Sequence, residues 1–92
     1  MNSLKIKVEN MTSPHSDREV CNQFIIYTDK ATYFQSYRTV IAMVKGGKTY
    51  LDKNRWDYSV TTGKYRNQFL GENIKETREK IKSGEYKLID LN

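Results

Sequence analysis

Cysteine, histidine and proline each occur once in this 92-residue sequence, and each scarcity removes a class of function. A lone Cys21 cannot form an intrachain disulfide. With His15 as the only imidazole, the chain cannot close a Cys/His zinc site of its own. A reducing, cytosolic setting is therefore expected, with no metal and no cofactor. Cys21 has only that one histidine as a possible base, so a small buried thiol is the expected state, not a nucleophile. His15 stands beside Pro14 in a polar stretch and reads as a solvated loop residue. Long hydrophobic runs are missing too: the longest, Val40 to Val44, falls far short of the ~20 residues of a membrane span. Met1 to Asn10 alternates lysine with apolar residues instead of building the apolar stretch of an export signal. No membrane partner is expected, and the predicted location is the cytoplasm.

Aliphatic residues are few. Leu, Ile, Val and Phe together make 20 of the 92 residues, close to the ~20% below which a charged chain stays unfolded. Seven tyrosines and Trp56 make up the difference, which predicts one folded domain over residues 1–92 with aromatic bodies in its core. The net charge is +5, unevenly spread. Residues 30–66 hold eight basic side chains against Asp52 and Asp57, a local charge of +6, and seven of the eleven aromatics.

Periodicity gives the outline of a fold. Leu4, Ile6 and Val8 alternate with Lys5, Lys7 and Glu9, the pattern of an outer strand with its apolar side on a core. Residues 10–19 are polar and read as a mobile loop. Asn22 to Thr28 is a second strand, and Asp29 to Ala31 can turn it into Thr32 to Tyr37. Thr39 to Val44 is apolar on both faces, as in a central strand. Lys45-Gly46-Gly47-Lys48 is a strong hairpin signal leading to Thr49 to Leu51. Thr61 or Thr62 can cap a helix that places Tyr65, Phe69 and Leu70 on one face and stops at Gly71. Asn73 with Glu76 is a capping-box start for a second helix ending at Gly84. A terminal strand follows from Tyr86. The expected architecture is α+β: an antiparallel sheet of four to five strands with two short helices packed on one face.

Candidate chemistry is thin. Thr61-Thr62-Gly63-Lys64 lacks the upstream glycine and the following Ser or Thr of a phosphate-binding loop, although helix-start amides beside Lys64 and Arg66 could still hold one phosphate or carboxylate. Glu85-x-Lys87 is the last half of a magnesium nuclease pattern without its upstream aspartate. No catalytic residue is assigned and no enzymatic turnover is expected. The basic, aromatic middle of the chain stands above background, because cations neutralise phosphates while exposed rings stack on unpaired bases. Six of its residues form the candidate binding patch: Lys53, Arg55, Trp56, Tyr58, Lys64 and Arg66. If Trp56 is core, Trp56→Ala costs about 3 to 5 kcal/mol. Reversing Arg55 and Arg66 to Glu is expected to spare the fold and abolish binding.

Thr32-Tyr33-Phe34-Gln35-Ser36-Tyr37, Thr49-Tyr50-Leu51-Asp52, Trp56-Asp57-Tyr58-Ser59, Thr61 to Asn67, Gly84-Glu85-Tyr86 and Asp90-Leu91-Asn92 together resemble a family of short proteins of unknown function from bacteriophages and mobile elements. The likeness covers roughly residues 22–92 and carries no site residue with it. It implies a context, stoichiometric binding to a host nucleic-acid-processing or defence machine in the manner of an anti-CRISPR-like modulator, with a host nuclease or nucleoprotein complex as partner. The alternative is a protein that binds DNA or RNA directly. A charge of +5 argues against mimicry of DNA, so an inhibitor of this kind needs an acidic patch or a nucleic acid on its partner.

Overall fold

A computed structural model describes residues 5–92. Six strands form one sheet in the order of the chain: β1 (Ile6–Thr12), β2 (Glu19–Thr28), β3 (Thr32–Ser36), β4 (Thr39–Lys45), β5 (Lys48–Asp52) and β6 (Tyr86–Ile89). Helices α1 (Val60–Leu70) and α2 (Ile74–Ser83) lie between β5 and β6. The α+β class agrees with expectation, but the sheet has six strands, one more than the upper expectation, and it is mixed. The first five strands form an antiparallel meander, whereas β6 pairs parallel to β5, Thr49 opposite Tyr86 and Leu51 opposite Leu88. Two helices end to end carry the chain back along the sheet, and a strand entered after such a crossover runs the same way as the one before it.

The turns follow local chemistry. Gly46 and Gly47 both have positive φ (59° and 75°), which matches the right-handed twist of β4 and β5. Thr28 closes the β2–β3 hairpin, its amide donating to the Ala31 carbonyl (2.9 Å) and its hydroxyl oxygen accepting from the Ala31 amide (3.0 Å). Ser59, two residues ahead of Thr61, caps α1 by accepting from the Thr62 amide at 3.1 Å, and Gly71 ends the helix in the left-handed region. Asn73 and Glu76 make the reciprocal capping box of α2.

Both helices cover one sheet face. Phe69 of α1 stacks on Phe34 at 5.8 Å, and the Ser36 and Thr62 hydroxyls meet at 2.9 Å. The core comprises Met11, Phe34, Ile41, Ala42, Leu51, Tyr65 and Tyr86, with Trp56, Phe69, Leu70 and Ile81 packed against it. Aromatic bodies thus replace aliphatic ones, as the composition requires. Ile41 and Ala42 are adjacent yet both fully buried, because Phe34 pairs with Ala42 while Gln35 pairs with Val40, leaving Ile41 as an extra residue on β4.

Three expectations are corrected at the N-terminal side. The loop expected over 10–19 is narrower: β1 runs to Thr12 and β2 starts at Glu19, with Met11 in the core and the Ser13 amide bonded to the Arg18 carbonyl at 2.9 Å. The apolar side of β1 also faces away from the core, since Ile6 and Val8 remain 58% and 59% exposed. Leu4, the first residue of that pattern, lies outside the described residues. Cys21, expected to be buried, is exposed.

Behind α2, Glu72 is a structural clamp. Its carboxylate accepts from the Thr77 hydroxyl (2.6 Å), Lys80 (2.6 Å) and the Tyr86 hydroxyl (2.9 Å), fastening the α1–α2 turn to α2 and to β6. Burial would push its carboxyl up, but the hydrogen bonds from Lys80, Thr77 and Tyr86 outweigh that and hold it below its ordinary value.

Candidate functional site

The six residues of the sequence-derived patch divide into two groups. Arg66 points inward and is 1% exposed. Its Nη1 donates to the Trp56 carbonyl (2.8 Å) and to Asp57 (3.4 Å), its Nη2 donates to Asn67 (3.0 Å), and its guanidinium lies over the Trp56 ring at 5.4 Å. Burial lowers its pKa, opposed by the Asp57 carboxylate. Arg66 therefore fastens the β5–α1 connection to the helix and takes no part in a surface. Trp56 is half-buried against the core and belongs with it. The anion site imagined at the start of α1 loses its second cation, and the Ser59 hydroxyl already occupies the Thr62 amide.

Lys53, Arg55, Tyr58 and Lys64 are exposed. Arg55 lies over the Tyr58 ring, 5.0 Å from its centroid, and Lys64 over the ring of Tyr65 at 5.5 Å. Tyr58 borders a cleft of about 460 Å³ whose other walls are Ser36, Tyr37, Arg38, Thr39 and Thr62. A neighbouring hollow shares Arg38 and Thr39 and includes Arg55 beside Asp52 and Asp90, so the two arginines flank one continuous surface that also carries two carboxylates. The cleft proper is lined by hydroxyls, two phenol rings and a guanidinium, with no carboxylate.

Tyr37 and Arg38 were not in the sequence-derived patch. They form the two-residue connection between β3 and β4, and Tyr37 has φ +56°, the left-handed region that favours glycine or asparagine. Its amide donates to the Asn22 carbonyl (2.7 Å) and its carbonyl accepts from Gln35 (2.8 Å), so the turn is held from both sides. A bulky side chain in this conformation costs about 1 kcal/mol or more, and such strain gathers at functional sites. The ring gains no burial in return: Tyr37 is 55% exposed and Tyr58 60%. Beneath the cleft, Gln23 pairs with Ser36 in the ladder and is fully buried, with neither amide atom bonded to protein. A Tyr-Arg pair in a tight turn was the available sequence signal, but nothing in its spacing marks the sign of φ.

Residues 6–85, from β1 through α2, match a family of unknown function, DUF8033. The chain belongs to the DUF8033 family. No curated protein and no solved structure matches it. In this DUF8033 member the match takes in every residue of the cleft and all six residues of the sequence-derived patch.

Proposed function

We propose that this domain is a non-enzymatic, phage-type accessory protein that binds an unpaired nucleic-acid strand, either free or exposed on a host nucleic-acid-processing or defence machine in the cytoplasm. The observation that carries this reading is the cleft between Tyr37 and Tyr58, whose own walls hold Arg38 and no carboxylate, and beside which Arg55 lines a hollow shared with Asp52 and Asp90. Rings half in solvent offer flat faces to bases, and guanidinium groups take phosphate oxygens in pairs. The net charge of +5 favours a partner that presents phosphates, which also fits a modulator of a nucleoprotein better than a mimic of DNA.

Fluorescence anisotropy with a labelled oligothymidine of about 12 nucleotides, a length within typical single-strand site sizes, tests it across a salt series. Binding is expected to exceed that of a duplex of the same length. The Arg38→Glu/Arg55→Glu variant is expected to lose roughly ten-fold or more in affinity, and its salt slope should shrink by about 1.4, at about 0.7 for each single-strand phosphate released. Full affinity in that variant sinks the reading. Capture of a host protein that persists after nuclease treatment would assign the cleft to a protein partner instead.

A further inference from the structure

The helices leave the second face of the sheet bare. The strand register places one side chain from each strand in a single row across that face: Val8 opposite Ile26, Ile26 opposite Tyr33, Tyr33 opposite Met43, Met43 opposite Tyr50, and Tyr50 opposite Lys87. All six are half-buried or exposed, and no helix of the described residues lies over them. Six strands spaced by about 4.8 Å make the row about 24 Å wide, with the Tyr33 and Tyr50 rings two spacings apart. Period-two alternation adds Lys45, which continues from Met43, and Lys48, which precedes Tyr50, and these two lysines pair with each other. The acidic residue on this side of β5, Asp52, is buried and already accepts from the Leu91 and Asn54 amides.

We propose that the bare sheet face is a second contact surface for the same single strand, with bases stacked on Tyr33 and Tyr50 and phosphates held by Lys45, Lys48 and Lys87. This rests on the reading of the domain as a single-strand binder, and assigns the body of the strand to a face that the cleft does not include. Charge selects this occupant over a second copy of the chain. Three lysines against one exposed carboxylate, Glu85 two residues before Lys87, leave the face cationic and suit a polyanion, whereas face-to-face pairing would bring like charges together out of water. Aromatic rings on central strands of an open sheet are a recurrent platform for unpaired bases. Gln35, two residues on from Tyr33 along β3, donates to the Tyr37 carbonyl at 2.8 Å and so ties this side of the strand to the turn that carries the cleft's Tyr37.

The test uses the oligothymidine binding assay with two double variants. Tyr33→Ser/Tyr50→Ser is expected to lose roughly thirty-fold or more in affinity, the effect of removing two stacking rings. Lys48→Glu/Lys87→Glu alters only exposed positions and is expected to lose roughly ten-fold or more in affinity at an unchanged urea midpoint, which separates lost binding from lost folding. Near-wild-type affinity in both, with the Arg38→Glu/Arg55→Glu variant still impaired, overturns the platform and leaves the cleft reading standing. Loss in the face variants with full affinity in the arginine variant does the reverse. A concentration-dependent dimer in sedimentation that Val8→Lys dissolves would give the face to a second copy and overturn the proposal. No binding by the wild-type chain removes both.

Discussion

Arg66 shows how far burial can change the meaning of a charged residue. Removing it by Arg66→Met leaves the Trp56 carbonyl and Asn67 without their donor, a cost of about 1 to 3 kcal/mol. Arg66→Glu places an unpaired carboxylate in the same site beside Asp57 and is expected to cost about 3 kcal/mol or more, seen as a lower urea midpoint. Charge reversal here therefore reports on folding, contrary to the sequence expectation, and only Arg55 serves to test binding. Tyr37 is the opposite case. Asparagine tolerates the left-handed region, so Tyr37→Asn is expected to raise stability by up to about 1 kcal/mol while weakening oligonucleotide binding. Thermal unfolding alongside anisotropy checks both signs, and a variant that is less stable would show that the ring is held by packing. From the sequence, Arg55 and Tyr58 were legible as exposed groups because the connection between β5 and α1 offers them no partner strand. Arg66 was not, since the guanidinium is buried only once the Trp56 carbonyl turns back toward the helix.

At the scale of elements, strong local signals were read correctly and non-local ones were not. The Gly46-Gly47 turn, the Asn73–Glu76 box and the Gly71 and Gly84 helix stops each depend on a few neighbouring residues. The extra residue at Ile41 and the parallel direction of β6 depend on what lies across the sheet, and hydrophobic alternation along one strand holds no record of either. The bare side of β1 was misread for the same reason: alternation says that one side is apolar, but not whether a layer exists to cover it. Elements joined by carboxylates carry a pH dependence. Burial would raise Asp52 as it would Glu72, but the Leu91 amide, Asn92 and the Asn54 and Arg55 amides hold it below its ordinary 3.8, as the clamp holds Glu72 below 4.5. Both folded pKa values lie under the unfolded ones, so their contribution is whole above the ordinary values and is lost as pH falls through the lowered ones. Acid unfolding should therefore steepen below about pH 4, and Glu72→Gln should be about 1 to 3 kcal/mol less stable at pH 7 with a flatter acid limb. An unchanged acid limb would show that the clamp is not a main source of acid sensitivity.

For the whole molecule, the sheet order follows the chain order, and one pairing departs from what neighbouring segments can deliver. Lys45 meets Lys48 across a two-glycine turn, but Thr49 pairs with Tyr86 across a segment that contains both helices. Closing so long a loop carries more entropy cost than closing a hairpin, and contacts distant in sequence tend to slow folding. β6 should thus be the last strand to join during refolding and the first to leave in native-state fluctuations. Its amides are expected to exchange with solvent deuterium sooner than those of β3 and β4, so the edge of the sheet that carries Lys87 would open on its own while the meander stays intact.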